Sequence, residues 1–446
     1  MPPQSKLLHR LDTRLRALAD APAWYLAYSG GLDSTVLLHL LHAWCAANAG
    51  PPLRALHVHH GMQAAADSWA AHCERNCVDL GVPLATHTVA VTGGEAGARE
   101  ARYAVFEASL AAGEVLFLAH HLDDQVETFF LRLMRGAGVA GLAGMPAARA
   151  LGAGTLLRPL LDTPRSDLHA YAMHHHLDYV EDPSNADTGL DRNFLRARVL
   201  PLLGSRWPGY RRAVARAGAH MAAADGMLRE TLGVPESVYS VCGDPGCPIE
   251  GLTADHCEAF ALRLRYWLQA HACKPPDRAS LEEFLRQLSV AVPAASPRLD
   301  AGSYVLQRYR DAVYLLPPFV ADPPQGQHPI APGQTERIAG VGEVGLIPAA
   351  AGVALGAGDE PYLAWREGGE HCRPVGHSGT IALKALLQER QVPPWWRARL
   401  PLVYLEGELL AVGDLVVCAS SRYRSQPEAG ERLWRLHWER FRGPFD

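Results

Sequence analysis

From Trp24 to about Leu203 the apolar residues fall into short runs, separated by longer stretches in which they recur every three to four positions. Short apolar runs bounded by turn residues predict buried strands, and the longer period predicts helices. The pattern gives a strand ending at Tyr28, a glycine-bearing loop over Ser29 to Asp33 and a helix from Ser34 to about Ala47. It continues with strands over Leu53 to His59, Leu84 to Val91 and Val115 to Ala119, and helices over Asp67 to Leu80 and Arg99 to Ala112. Such alternation predicts an α/β fold, a doubly wound parallel sheet with crossover helices on both faces. Ligands of these sheets sit beyond the carboxyl ends of the strands.

After about Gly218 the pattern changes. Helical spacing over Ala254 to Ala270 and Ser280 to Ser289, then a strand-like run over Ser303 to Leu316, predicts a mainly helical domain. The Pro- and Gly-rich run from Pro317 to Gly333 predicts a linker or loop. Short strands with one helix, Thr380 to Arg390, predict a small α+β domain at the C-terminus. The expected division is 1–217, 218–318, a linker over 319–357, and 358–446.

Composition narrows the class. A chain of 446 residues is too long for one ordinary core. Its formal charge of −5 gives no global basic signature, so any nucleic-acid-facing surface has to be local. Lysine occurs only at Lys6, Lys274 and Lys384, which leaves arginine to supply almost every cation. Nine scattered cysteines without a Cys-x-x-Cys pair fit reduced thiols in the cytoplasm. No apolar run has membrane-spanning length and no apolar leader is visible, so no membrane partner is expected.

Three chemically rich stretches close the predicted strands. Ser29-Gly-Gly-Leu-Asp-Ser34 joins a strand to a helix N-terminus, where free N–H groups and the dipole favour an anion, and glycines admit phosphate oxygens. No Gly-Lys-Ser/Thr follows, so this is not a Walker A loop. Asp33 stands there instead, and an acid beside phosphates implies magnesium. His57-Val-His-His60 closes the second strand. The third stretch, His120-His-Leu-Asp-Asp-Gln-Val-Glu-Thr128, places Asp123, Asp124 and Glu127 at helical spacing on one face. That face suits a magnesium ion or an ammonium group, and acids there also cap a helix.

Further along, Arg135 to Met145 is rich in glycine and could wrap a nucleotide or a nucleic-acid backbone. Arg192, Arg196, Arg198, Arg206, Arg211, Arg212 and Arg216 form the strongest basic cluster, suited to bidentate phosphate contacts. The segment from Leu383 to Leu402 combines Lys384, Trp395 and Arg397, and an exposed tryptophan beside cations suits base stacking.

The six-residue loop resembles that of the N-type ATP pyrophosphatases. The order of Ser-Gly-Gly-Leu-Asp-Ser34, His-Val-His-His60, Arg99-x-x-Arg-Tyr103, His-His-Leu-Asp-Asp-Gln-Val-Glu-Thr128, Arg-Gly-Ala-Gly138, Arg-Asn-Phe-Leu-Arg196 and the Pro-Pro-Trp segment resembles the tRNA(Ile)-lysidine synthetase family. The chain departs from that pattern at His59, commonly Asp or Asn, and at Ala137, commonly Ser or Thr. The resemblance implies that L-lysine is ligated to C2 of the wobble cytidine in the CAU anticodon of tRNA(Ile). The cytidine oxygen would first attack the ATP α-phosphate, and the lysine ε-amine would then displace AMP. It further implies that Ser29, Gly30, Gly31, Leu32, Asp33 and Ser34 bind ATP, with Mg2+ on Asp33, and that Asp33 and Asp124 are catalytic. Asp124 and Glu127 would hold the lysine ammonium and Arg99 or Arg102 its carboxylate. Arg192, Arg196, Arg198, Arg211, Arg212, Lys384, Trp395 and Arg397 would meet tRNA, in a monomer or homodimer. Two alternatives remain open: a thiolating tRNA-modification enzyme of the same superfamily, and a non-catalytic nucleotide- or RNA-binding module.

Overall fold

The computed structural model describes residues 3–61, 66–90, 94–183, 187–250, 252, 257–290, 295–318, 322–428 and 431–441. The chain forms two compact units, Met1–Leu228 and Arg229–Asp446. The first opens with α1 (Pro3–Arg16), β1 (Trp24–Ala27), α2 (Leu32–Asn48), β2 (Leu53–His59), α3 (Ala66–Asp79), β3 (Leu84–Thr88), α4 (Gly94–Ala108) and β4 (Val115–Phe117). There follow α5 (Leu122–Met134), α6 (Val139–Leu142), the hairpin β5 (Ala148–Leu151) and β6 (Gly154–Leu157), and α7 (Arg165–His174). Then α8 (Asp191–Phe194), a π-helical turn (Leu195–Val199) and α9 (Leu200–Arg206) lead into α10 (Tyr210–Leu232).

The strands form one sheet in the order β3-β2-β1-β4-β6-β5, parallel throughout except for the edge strand β5. Side chains of a strand alternate between faces, and both faces here are apolar. Trp24, Leu26, Tyr28, Val115 and Phe117 pack with Leu11 of α1, Val36 of α2 and Leu168 of α7. Ala23, Tyr25, Leu116 and Leu118 pack on the other face with Phe106 of α4. This double burial explains the continuous apolar runs that made the strands legible. Strand order reverses between β1 and β4, so the loops after these two strands open onto one crevice.

The second unit begins with β7 (Val238–Tyr239), β8 (Pro245–Pro248), α11 (Cys257–Ala270), α12 (Arg278–Val290), β9 (Arg298–Asp300), β10 (Val305–Tyr309) and β11 (Ala312–Leu316). The expected helices α11 and α12 are present, and they share a core with a sheet ordered β7-β8-β11-β10-β9.

The described part of the stretch expected as a linker, residues 322–357 of 319–357, contains strands instead. It carries β12 (Gln327–Pro329), β13 (Thr335–Ile338), β14 (Gly342–Ala349) and β15 (Gly352–Ala354). Gly342 and Gly352 in it are packing residues: a Cβ on Gly342 would lie 2.0 Å from the Glu439 carbonyl oxygen, and one on Gly352 2.3 Å from that of Trp434. Glycine marks close approach of two backbones as well as flexibility, and here it marks the former.

The chain continues with β16 (Tyr362–Ala364), β17 (His371–Cys372), β18 (Ile381–Ala382), α13 (Leu383–Glu389), α14 (Pro394–Arg397), β19 (Leu402–Leu405) and β20 (Glu408–Val412). It closes with β21 (Val416–Val417), β22 (Tyr423–Arg424) and β23 (Leu433–Arg440). Two five-stranded sheets, β12-β16-β19-β20-β21 and β13-β14-β23-β15-β22, share one core with Leu383 and Leu386 of α13 and Trp396 of α14.

Candidate active site

The loop after β1 has the geometry of an anion cradle. Gly30 adopts φ +77°, and a Cβ there would stand 2.8 Å from the Cys73 sulfur, so glycine is required twice over. Gly31 is the N-cap of α2 and gives its first turn no side-chain cap. The helix starts at Leu32, two residues earlier than expected, which places Asp33 in its first turn. The Ser29 and Ser34 hydroxyls lie 3.0 Å apart, and the Ser34 hydroxyl donates to the Gly31 carbonyl at 3.0 Å. These serines shape the loop from within. Behind it, the Gly30 carbonyl accepts from the Val180 N–H at 3.0 Å and the Thr35 hydroxyl at 3.3 Å. The strap at Val180 was not foreseen.

Asp33 Oδ1 is buried and has no hydrogen-bond partner. The Arg165 guanidinium approaches it only to 3.7 Å. A carboxylate oxygen left unbonded beside an anion cradle fits a hydrated magnesium ion, which takes one or two protein carboxylates and completes its shell with phosphate and water. Among the described residues no cluster of three or more His, Cys, Asp or Glu side chains could hold a metal alone.

The loop after β4 supplies the acids. His121 caps α5: its Nδ1 accepts from the Asp124 N–H at 3.4 Å, while the Asp124 carboxylate accepts from the His121 N–H at 3.0 Å. The capping role leaves Nε2 to carry the proton, and it lies 3.5 Å from both the Asp33 and Asp124 carboxylates. His121 is 1% exposed and ties the two loops together. Burial is the largest influence on its pKa and lowers it, but Asp33, Asp124 and Asp123 together outweigh burial and raise it. Its neighbour His120 is pushed down to about 4, first by burial and then by Arg158, Arg99 and Arg192, against the pull of Asp124. The Arg158 Nε donates to His120 Nδ1 at 3.3 Å, which also requires a neutral ring.

Glu127, fully buried, is already partnered. Arg196 donates to both its oxygens at 2.8 and 3.0 Å, and Arg192 approaches at 3.5 Å. Burial raises the Glu127 carboxyl above its ordinary range, against the pull of Arg196, whose guanidinium meets both its oxygens. Arg192 and Arg196, expected to face tRNA, therefore turn inward, because α5 presents them a buried acid. Arg211 does the same, bonding Asp123 at 2.5 Å. Arg198 and Arg212 remain exposed. Arg165, Arg196, Arg211 and Arg212 line, with Asp123 and Glu127, a cleft of about 660 Å³.

The two arginines expected at a substrate carboxylate differ. Arg99 is exposed with its guanidinium 5.0 Å from the Tyr103 ring centroid, and its charge reaches His120. Arg102 is turned to His60, bonding its Nε2 at 3.2–3.3 Å. His59, where the chain departs from the pattern it resembles, bonds Asp67 at 3.0 Å. The glycine-rich stretch after α5 is pinned rather than loose: Gln125 exchanges bonds of 2.7 and 2.8 Å with Met145, and Arg132 donates to Gly141 and Gly144 at 2.8 Å.

In the second unit Lys384 is exposed on α13. The tryptophans correct the expectation of an exposed stacking surface. Trp396 is 1% exposed, with its indole N–H on the Asp244 carboxylate at 2.9 and 3.0 Å. Trp395 is half-buried on the same carboxylate at 3.2 Å, against Tyr309 and Tyr314. Arg397 is half-buried too, donating to the Val392 carbonyl at 2.8 Å. A buried indole needs a partner for its N–H, and the acid that provides one fixes both rings.

Comparison with known families finds a PP-loop domain over residues 3–203, a TilS substrate binding domain over 250–314 and a TilS substrate C-terminal domain over 363–438. The chain is 39% identical to the tRNA(Ile)-lysidine synthase of Serratia proteamaculans, over 93% of this chain and 95% of that one. It is 40% identical to that of Alkalilimnicola ehrlichii, over 95% of each chain. The Pseudomonas aeruginosa tRNA(Ile)-lysidine synthase is likewise 40% identical, over 98% of each.

Proposed function

The chain belongs to the tRNA(Ile)-lysidine synthase family, and we propose that it is an ATP-dependent ligase joining L-lysine to C2 of the wobble cytidine in the CAU anticodon of tRNA(Ile). In the first step the cytidine O2 attacks the ATP α-phosphorus and pyrophosphate leaves. In the second the lysine ε-amine attacks C2, loses a proton, and AMP departs with the oxygen. Adenylation is needed because a carbonyl oxygen is a poor leaving group.

The observation that carries this reading is the His121 bridge, which sets Asp33 at the phosphate cradle and Asp124 on α5 at the same 3.5 Å. The N–H groups of Ser29 to Ser34 would hold ATP phosphates, and Asp33 would hold magnesium through its unbonded oxygen. Magnesium would neutralise charge on the departing pyrophosphate. Asp124 would receive the lysine ammonium, and Arg99 is the better placed arginine for its carboxylate. Glu127 acts one step removed, fixing Arg196 at the cleft. Exposed Lys384 would contact tRNA in the second unit.

The thiolation alternative finds no support at the loop. Cys73, which lies against Gly30, is fully buried and its thiol is pushed up to about 12 by burial, whereas sulfur transfer needs a thiolate. The reading puts the enzyme in the cytoplasm. Among the described residues no helix is long and apolar enough to cross a membrane.

Incubation with ATP, magnesium, lysine and a CAU-anticodon transcript, followed by nucleoside mass analysis, should yield lysidine. Asp33→Asn, which keeps the shape and removes the charge, should release no pyrophosphate while melting at the parent temperature. Unmodified cytidine from the parent enzyme would overturn the function; undiminished release by the variant would overturn the role of Asp33.

A further inference from the structure

The segment from Arg192 to Arg216 contains seven arginines and no acid. Three of them, Arg192, Arg196 and Arg211, are spent on Glu127 and Asp123. Arg198, Arg206, Arg212 and Arg216 are exposed, and among the described residues none of the four pairs with a carboxylate. Interleaved with them are large apolar side chains that face water. Trp207 is 57% exposed and Phe194 49%. The Arg206 guanidinium lies 5.7 Å from the Trp207 ring centroid. Leu200, Pro201, Pro208 and Gly209, on either side of Trp207 in the chain, line the cleft that also holds Glu127 and Arg196. Trp207 therefore stands at the rim of the site.

We propose that Trp207, with Arg206 beside it, is a base-stacking platform for the single-stranded RNA that flanks the reacting cytidine. The proposal rests on the ligase reading above and adds a tRNA-binding residue to it. Chemistry at C2 of a loop cytidine requires that base to leave its stack, and a flanking base then loses a neighbour. An exposed indole beside a cation replaces that neighbour, while surrounding arginines hold the phosphates. A second copy of the chain is a poorer occupant. A two-fold contact would set this arginine-rich patch against itself, and like charges across an interface are unfavourable.

The test compares Trp207→Ala and Trp207→Phe in the full-length enzyme. Lysidine formation is measured over a range of tRNA concentrations, pyrophosphate release over a range of ATP, and oligomeric state by sedimentation. Trp207→Ala should raise the tRNA KM on the order of five- to a hundredfold, the range of one lost base stack. The ATP KM and the melting temperature should stay at parent values, and Trp207→Phe should restore most of the loss. A tRNA KM within twofold of the parent in Trp207→Ala overturns the proposal while leaving the ligase reading intact. Equal loss toward ATP and tRNA would instead make the residue structural. A shift in oligomeric state with Trp207→Ala would make a second copy the occupant. If the parent enzyme itself forms no lysidine, it is the ligase reading that fails.

Discussion

Two segments of this chain have the same chemical vocabulary and use it in opposite ways. Residues 192–216 and 383–397 both join arginine to tryptophan, the combination that in sequence suggests contact with RNA. In the second unit both tryptophans are drawn to one buried acid, Asp244, and Arg397 is tied to its own backbone at Val392. In the first unit Trp207 faces water, and the exposed arginines around it have no acid in the segment to pair with. For the second segment the deciding residue lies outside it. Asp244, roughly 150 positions upstream of Trp396, turns a stacking surface into a core, and the absence of any acid between Arg192 and Arg216 leaves the other surface open.

The sharpest way to break this contrast is stability. Trp396→Ala removes a fully buried indole and leaves Asp244 without two of its bonds, so it should cost about 3–5 kcal/mol of folding stability. Trp207→Ala, at a largely exposed site, should stay within about 0.5 kcal/mol. Chemical denaturation with matched m-values reads both. Comparable losses would mean that the two tryptophans are not used differently.

The same contrast explains what could be read in advance. The parallel sheet was legible because both its faces are apolar, so Trp24 to Tyr28 and Val115 to Leu118 appear as continuous runs. The loop after β1 was legible because Gly30 is a local requirement of its turn. Pairing across long sequence separations was not legible: Arg196 meets Glu127 from 69 positions away, and nothing local to Arg192–Arg198 distinguishes an inward arginine from an outward one. His121 was visible only as one of two adjacent histidines, although its bridge to Asp33 organises the site. The glycines of 342–352 gave no sign of sheet because close packing and flexibility select the same residue.

The two units should also respond to acid differently. His120 has a folded-state pKa of about 4 against an ordinary 6.5. The unfolded chain therefore takes up this proton first, and the stability contributed by the neutral ring, complete above pH 6.5, is lost as pH falls toward 4. His39, His57, His60 and His175 are shifted down as well, each first by burial. His121, shifted up, contributes fully below pH 6.5 and does not change in this window. In the second unit burial raises Asp244, so the folded form is protonated first and falling pH relieves its penalty. Hydrogen exchange of the intact chain, corrected for intrinsic rates, should show protection falling between pH 6.5 and 5 in peptides over β1 and β4. Peptides over β19 and β20 should hold theirs, and His120→Gln should flatten the first trend. Parallel losses in both units would refute the contrast.

The smallest effect distinguishes single arginines. A cation that neutralises a phosphate releases a counterion, so each such contact adds about 0.7 to the slope of log affinity against log salt for single-stranded RNA. Arg198 is exposed and its charge is available to phosphate. Arg397 is half-buried, with its Nε on the Val392 carbonyl and Nη2 3.5 Å from the Tyr309 hydroxyl. Arg198→Ala should therefore flatten the salt dependence of tRNA binding by about 0.7 and weaken affinity only a fewfold at physiological salt. Arg397→Ala should leave the slope unchanged, because the charge it removes is engaged with neutral backbone and phenol rather than with RNA. Filter binding across a salt series resolves a slope change of this size. Should Arg397→Ala flatten the slope as much as Arg198→Ala does, burial of the tryptophans would not withdraw their segment from RNA, and exposure alone would be the wrong criterion for choosing between the two surfaces.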